Sequence, residues 1–111
     1  MALGTEGSVT TFTISEFGRA LLDNGRGSDH GWGSHHLVMD GAVRGNRVNG
    51  SFPTVAIGGP EDSSQGRLIP TTAVDEHGAT LARWFGLPVA QLPPVLPNPP
   101  RFTRSNPGFP A

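Results

Sequence analysis

Thr13-Ile14-Ser15-Glu16-Phe17-Gly18-Arg19, followed after a short interval by Ser28-Asp29-His30-Gly31-Trp32-Gly33-Ser34-His35-His36, is the stretch that decides how this chain is read. It carries the chain from the end of a strand into a glycine-rich segment. Upstream, Ser8 to Ser15 is rich in β-branched and aromatic residues, which fit a pleated, half-buried surface. A strand is expected there, with Val9, Phe12 and Ile14 as its apolar content. After Phe17 glycines recur as far as Gly33, and Asn24-Gly25 is a strong turn dipeptide because both residues tolerate positive φ. The expectation is a long, irregular, Gly-rich loop over 18–34, of the kind that compact domains keep for function.

Working outward, Leu37-Val38-Met39 reads as a short buried strand, and Val43 to Val48 as a hairpin turning at Gly45-Asn46. Phe52 to Ile57 reads as an extended piece and Glu61 to Gly66 as a polar surface turn. One helix is expected over about 74–85. Thr72 can cap its N-terminus, and Asp75 and Glu76 favour the positive end of its dipole. Val74, Leu81, Trp84 and Phe85 recur at helical spacing, which predicts a small core of Phe12, Ile14, Leu81 and Phe85. Gly86 can take the left-handed position past the helix end, and Pro88 prevents continuation. From Pro88 onward the chain holds eight of its 11 prolines. That predicts polyproline-like structure and a flexible tail beyond Pro99.

The 111 residues allow one domain, but hydrophobic residues are only 35% and Gly plus Pro number 16 and 11, so any core is small. Cysteine is absent, which excludes disulfides, thiolate metal sites and a cysteine nucleophile. A formal charge of −1 offers no electrostatic case for nucleic acid or an anionic membrane. No apolar run approaches the length of a membrane span. Met1 to Gly7 has neither the basic start nor the apolar stretch of a signal peptide, so the chain as written is expected in the cytoplasm.

The chemistry-bearing residues cluster where the first strand ends. Neutral imidazole and carboxylate are ordinary ligands of Zn²⁺ or Mn²⁺, so Glu16, Asp29, His30, His35 and His36 are candidate metal ligands. Arg19 is a candidate anion-binding residue through its planar fork. The plainer alternative is a solvated loop. Ser34 beside His35 is not a nucleophile–base pair, because adjacent side chains rarely face each other. Trp32 is expected in the core, and His77 exposed on the helix. Asn49-Gly50-Ser51 fits an N-glycosylation acceptor, a three-residue pattern common by chance.

The run from Thr13 to Arg19, then Gly27 to Gly45, resembles the C-terminal part of a bacterial family, domain-of-unknown-function family 1501, itself similar to the alkaline phosphatase and sulfatase superfamily. Arg67 to Asp75 and Gly78 to Gly86 resemble that family's closing helix. The resemblance implies an α/β fragment of an alkaline-phosphatase-like domain: an N-terminal lead over 1–8, the C-terminal part of the domain over 9–97, and a Pro-rich tail over 98–111. Two motif registers compete. In one, Asp29-His30-Gly31 is the ligand pair. In the other, Ser15-Glu16-Phe17-Gly18 occupies the strand end, with Phe17 where a ligand histidine is expected and His30, His35 or His36 as the later ligand. The superfamily's first metal-binding aspartate and hydroxyl nucleophile belong to an N-terminal half that nothing before Val9 represents. The resemblance therefore implies a chain without catalysis of its own, or a metal-dependent hydrolase of phosphate or sulfate esters once that half is supplied. The implied partners are that half, or further copies of this chain along exposed strand edges. Full-length relatives are implied to be exported to the periplasm.

Overall fold

Asn24-Gly25-Arg26-Gly27 turns the chain back on itself. Gly25 and Gly27 have φ of +83° and +130°, the Asn24 N–H donates to the Gly27 carbonyl at 2.9 Å, and the Asp23 carboxylate accepts the Gly25 N–H at 2.6 Å. Strands β2 (Gly18–Asp23) and β3 (Ser28–Gly31) flank this turn and pair antiparallel, with Gly18 opposite Gly31 and Arg19 opposite His30. The expected irregular loop is thus a hairpin. Gly25 and Gly27 supply the positive φ of the turn, while Gly18 permits close approach, since a Cβ there would lie 1.9 Å from the Gly33 carbonyl oxygen.

A computed structural model describes residues 3–102. Besides the hairpin, β1 (Thr11–Phe12) pairs with β4 (Val38–Met39) in a second two-stranded sheet, and α1 spans Val74–Trp84. The fold is mixed: short antiparallel strands in two small sheets, plus helices. The first strand is shorter than expected, and no strand forms over Val43 to Val48, although Asn46 adopts the positive φ (58°) expected of its turn. The chain divides into two compact units, one drawn from residues 3–11, 38–50 and 72–102, the other from residues 12–37 and 51–71.

In the second unit, the segment after Gly58 is organised by Asp62. Its carboxylate accepts N–H groups from Gly58, Ser64 and Gly66 at 2.8, 2.9 and 2.9 Å. Gln65 and Gly66 both have positive φ (58° and 74°) inside a turn closed by the Arg67 N–H to the Ser64 carbonyl, the signature of a type I′ turn. The turn presents its carbonyls to β2, where the Leu21 N–H bonds Gly66 at 3.0 Å and the Leu22 N–H bonds Gln65 at 3.4 Å. The Gly33 N–H likewise bonds the Leu68 carbonyl at 3.3 Å.

In the first unit, α1 starts at Val74 as expected, but its cap is Ala73 rather than Thr72. Alanine has no acceptor, so only half of a capping box exists: the Glu76 carboxylate accepts the Ala73 N–H at 2.9 Å. The other end closes as expected at Gly86 (φ +103°), with Gly86 N–H to Arg83 and Leu87 N–H to Ala82 completing a Schellman motif. Gly78 admits the Leu96 side chain, whose methyls would lie 3.6 and 3.8 Å from a Cβ there. The proline-rich segment is not polyproline-like as far as Phe102. It forms a 3₁₀ turn (Val89–Gln91), a helical turn α2 (Leu92–Val95) and another 3₁₀ turn (Pro99–Arg101). Proline is tolerated in a first turn because its missing N–H is one that a helix start leaves unbonded. Leu92 and Pro99 are buried, and Asn98 donates to Asp75 at 3.2 Å. The expected flexible tail lies largely in residues 103–111, outside the described residues.

The expected core is not formed. Ile14 is 74% and Phe85 87% exposed, and the buried hydrophobic residues among those described are Ala20, Ala79 and Leu92. Hydrogen-bonded turns carry the organisation instead. Gly66→Ala tests this, because a Cβ there would lie 2.5 Å from the Leu21 Cβ at a φ that alanine disfavours. The variant is expected to lose amide-exchange protection at Leu21 and Leu22; retained protection at both would contradict the docking.

Candidate functional site

The hairpin gathers the central sequence candidates without making them converge. In a strand, successive side chains leave opposite faces, so Asp29 and His30 in β3 diverge. The His30 ring stacks on Phe17, with centroids 3.7 Å apart and planes 12° apart. The Arg19 guanidinium lies over the same Phe17 ring, 5.2 Å from its centroid, and donates through Nη1 to the Ser28 carbonyl at 2.7 Å. Arg19, Phe17 and His30 thus form one cation–aromatic–imidazole group at the start of the hairpin. Phe17, which one register puts in place of a ligand histidine, stacks on His30, a candidate ligand in both registers.

Asp29 is engaged on the other side. Its carboxylate accepts from Asn24 Nδ2 at 2.6 Å and pairs with Arg67 Nη2 at 3.5 Å. Both partners are solvent-accessible, so the ion pair contributes only about 0–1 kcal/mol. Arg67 also donates through Nε to the His30 carbonyl at 3.3 Å and through Nη1 to Gln65 Oε1 at 2.5 Å. It ties the Asp62 turn to the hairpin. No local spacing in the sequence points to this role, because its hairpin partners, Asp29 and His30, lie nearly forty positions away.

The remaining candidates are spread out. Glu16 is exposed in the bend before β2. His35 stacks on Phe52 at 4.7 Å, and His36 Nδ1 lies 3.4 Å from the Thr13 hydroxyl. Trp32 is 68% exposed, not in a core, because the turn packs against β2 through backbone and leaves the indole in solvent. His77 is half-buried in α1 rather than exposed. Among the described residues no three His, Asp or Glu side chains come together as a group able to hold a metal ion. As arranged, the residues present do not fit a closed Zn²⁺ or Mn²⁺ centre.

Two carboxylates are held below the ordinary value of 3.8. Asp62 is lowered first by the Gly58 N–H, and Asp40 first by the Thr10 hydroxyl, with the Ala42 N–H adding to it. Compared with protein-family profiles, with curated proteins and with solved structures, the chain matches none. No helix among the described residues is long and apolar enough to cross a membrane.

Two measurements follow from this geometry. A depressed carboxylate stabilises the fold above its ordinary pKa and loses that contribution as pH falls through the folded value. The Gly58, Ser64 and Gly66 amide resonances should therefore titrate together, with a midpoint below 3.8; a midpoint at or above that value would contradict the Asp62 arrangement. For metal, the dispersed donors predict weak Zn²⁺ binding. Calorimetry should give micromolar or weaker affinity, reduced in His30→Ala/His36→Ala, and equal heats from both proteins would remove these histidines from any site.

Proposed function

We propose that this chain is the closing part of a larger sulfatase- or phosphatase-like α/β domain, without catalysis of its own, and that it acts by docking against the half that carries the nucleophile. The observation that supports this reading is the distribution of apolar side chains. Nineteen large hydrophobic residues are exposed among those described, against three buried hydrophobic ones. Scattered exposed hydrophobics are ordinary on a stable domain, but a chain that buries so few has no core sufficient to hold it closed. Contact with a complementary half would cover this surface and supply the missing core. Short two-stranded sheets leave edges for the same half to extend, and in its absence those edges invite self-association.

A completed domain would hydrolyse phosphate or sulfate esters, with the exposed Arg19 guanidinium placed to meet an anionic oxygen. The donors among the described residues do not form a metal centre, so a metal-dependent site would draw its other ligands from the partner half.

The purified chain is expected to show no hydrolysis of aryl phosphate or sulfate esters above a metal-only blank. It is also expected to self-associate and to bind a hydrophobic dye such as ANS. Chelator-sensitive turnover reduced by His30→Ala would overturn the non-catalytic reading. A monodisperse monomer that leaves the dye unbound would overturn the docking reading.

A further inference from the structure

The chain contains two Asn-Gly dipeptides, Asn24-Gly25 and Asn49-Gly50, and the structure treats them oppositely. Asparagine before glycine is prone to attack by the following backbone nitrogen on its own carboxamide, because glycine has no side chain to obstruct ring closure. At Asn24 every participating group is held. Nδ2 donates to Asp29 at 2.6 Å, Oδ1 accepts the Arg26 N–H at 2.9 Å, and the Gly25 N–H donates to Asp23 at 2.6 Å. At Asn49 none is held: among the described residues, neither its carboxamide nor the Gly50 N–H has a hydrogen-bond partner. This dipeptide lies outside regular secondary structure, between β4 and α1. Gly50 has φ +89°, and the Thr72 hydroxyl would lie 2.9 Å from a Cβ there, which keeps glycine at this position.

We propose that Asn49 is a site of spontaneous deamidation and that the hairpin turn protects Asn24 from the same reaction. The Gly50 nitrogen gives up its proton to solvent base and attacks Cγ of Asn49. A carbon–nitrogen bond forms, the carboxamide nitrogen leaves as ammonia, and a five-membered succinimide remains. Water then opens the ring. Cleavage at Cγ gives aspartate, and cleavage at the backbone carbonyl gives isoaspartate, with the main chain rerouted through Cγ. The balance is amide plus water to acid plus ammonia, with no redox partner. The product adds one negative charge to a chain of formal charge −1.

The test incubates the full chain, native and urea-unfolded, in mildly alkaline buffer and digests it with trypsin. The peptides Ala20–Arg26 and Val48–Arg67 report the two sites separately. In the native chain Asn49 is expected to convert at least about tenfold faster than Asn24, whose hydrogen bonds must break before attack. Unfolding should remove the difference. Asp23→Ala, which frees the Gly25 N–H, should speed conversion at Asn24 and leave Asn49 unchanged. Equal native rates, a faster Asn24, or an Asn49 advantage that persists on unfolding would overturn the proposal.

Discussion

The carboxylate of Asp62 accepts three backbone N–H groups, and the geometry it imposes on Gly58 to Gly66 makes the second unit possible. With Ser64 and Gly66 bound to one oxygen, Gln65 and Gly66 adopt consecutive positive φ and turn their carbonyls toward β2. Those carbonyls satisfy Leu21 and Leu22, N–H groups on the outer edge of a hairpin with one strand on its other side. Arg67 follows directly and spans to Asp29 and the His30 carbonyl. The hairpin that carries Arg19, Asp29 and His30 is thus positioned by an aspartate that lies outside the candidate site.

This design has a cost. Polar scaffolding fixes backbone geometry, but water competes for each exposed hydrogen bond, so each contributes little net stability. The apolar residues that would supply the balance lie on the surface. Such a chain has well-defined turns and little driving force to stay closed, which is the ground for proposing that it docks against a complementary surface. The spread of the histidines fits the same picture. His30 and His35 rest on aromatic rings rather than pointing at a shared centre.

What the sequence revealed was the local chemistry. The end of α1 at Gly86 and the turn at Asn24-Gly25 were legible because one residue type answers one backbone need. The strand expected at Leu37–Met39 forms over Val38–Met39 but is not buried, with Leu37 and Met39 exposed. The hairpin itself was hidden because its strands, Gly18–Asp23 and Ser28–Gly31, carry glycine and charge where strand patterns expect β-branched residues. The core was misjudged because helical periodicity marks an apolar face without saying whether anything covers it, and Phe85 is left in solvent. The proline-rich segment was misread because Pro93 and Pro94 fall in the first turn of α2, the one place where proline suits a helix. Arg67 was illegible altogether, since its partners are set by tertiary pairing and not by spacing.

The central claim is that Asp62 organises the hairpin at a distance, and Asp62→Ala examined by amide hydrogen exchange tests it most directly. The account predicts loss of protection not only at Gly58, Ser64 and Gly66, which bond the carboxylate, but also at Leu21, Leu22 and Gly33, which touch only the backbone it shapes. Loss confined to the first three, with Leu21, Leu22 and Gly33 still protected, would contradict it.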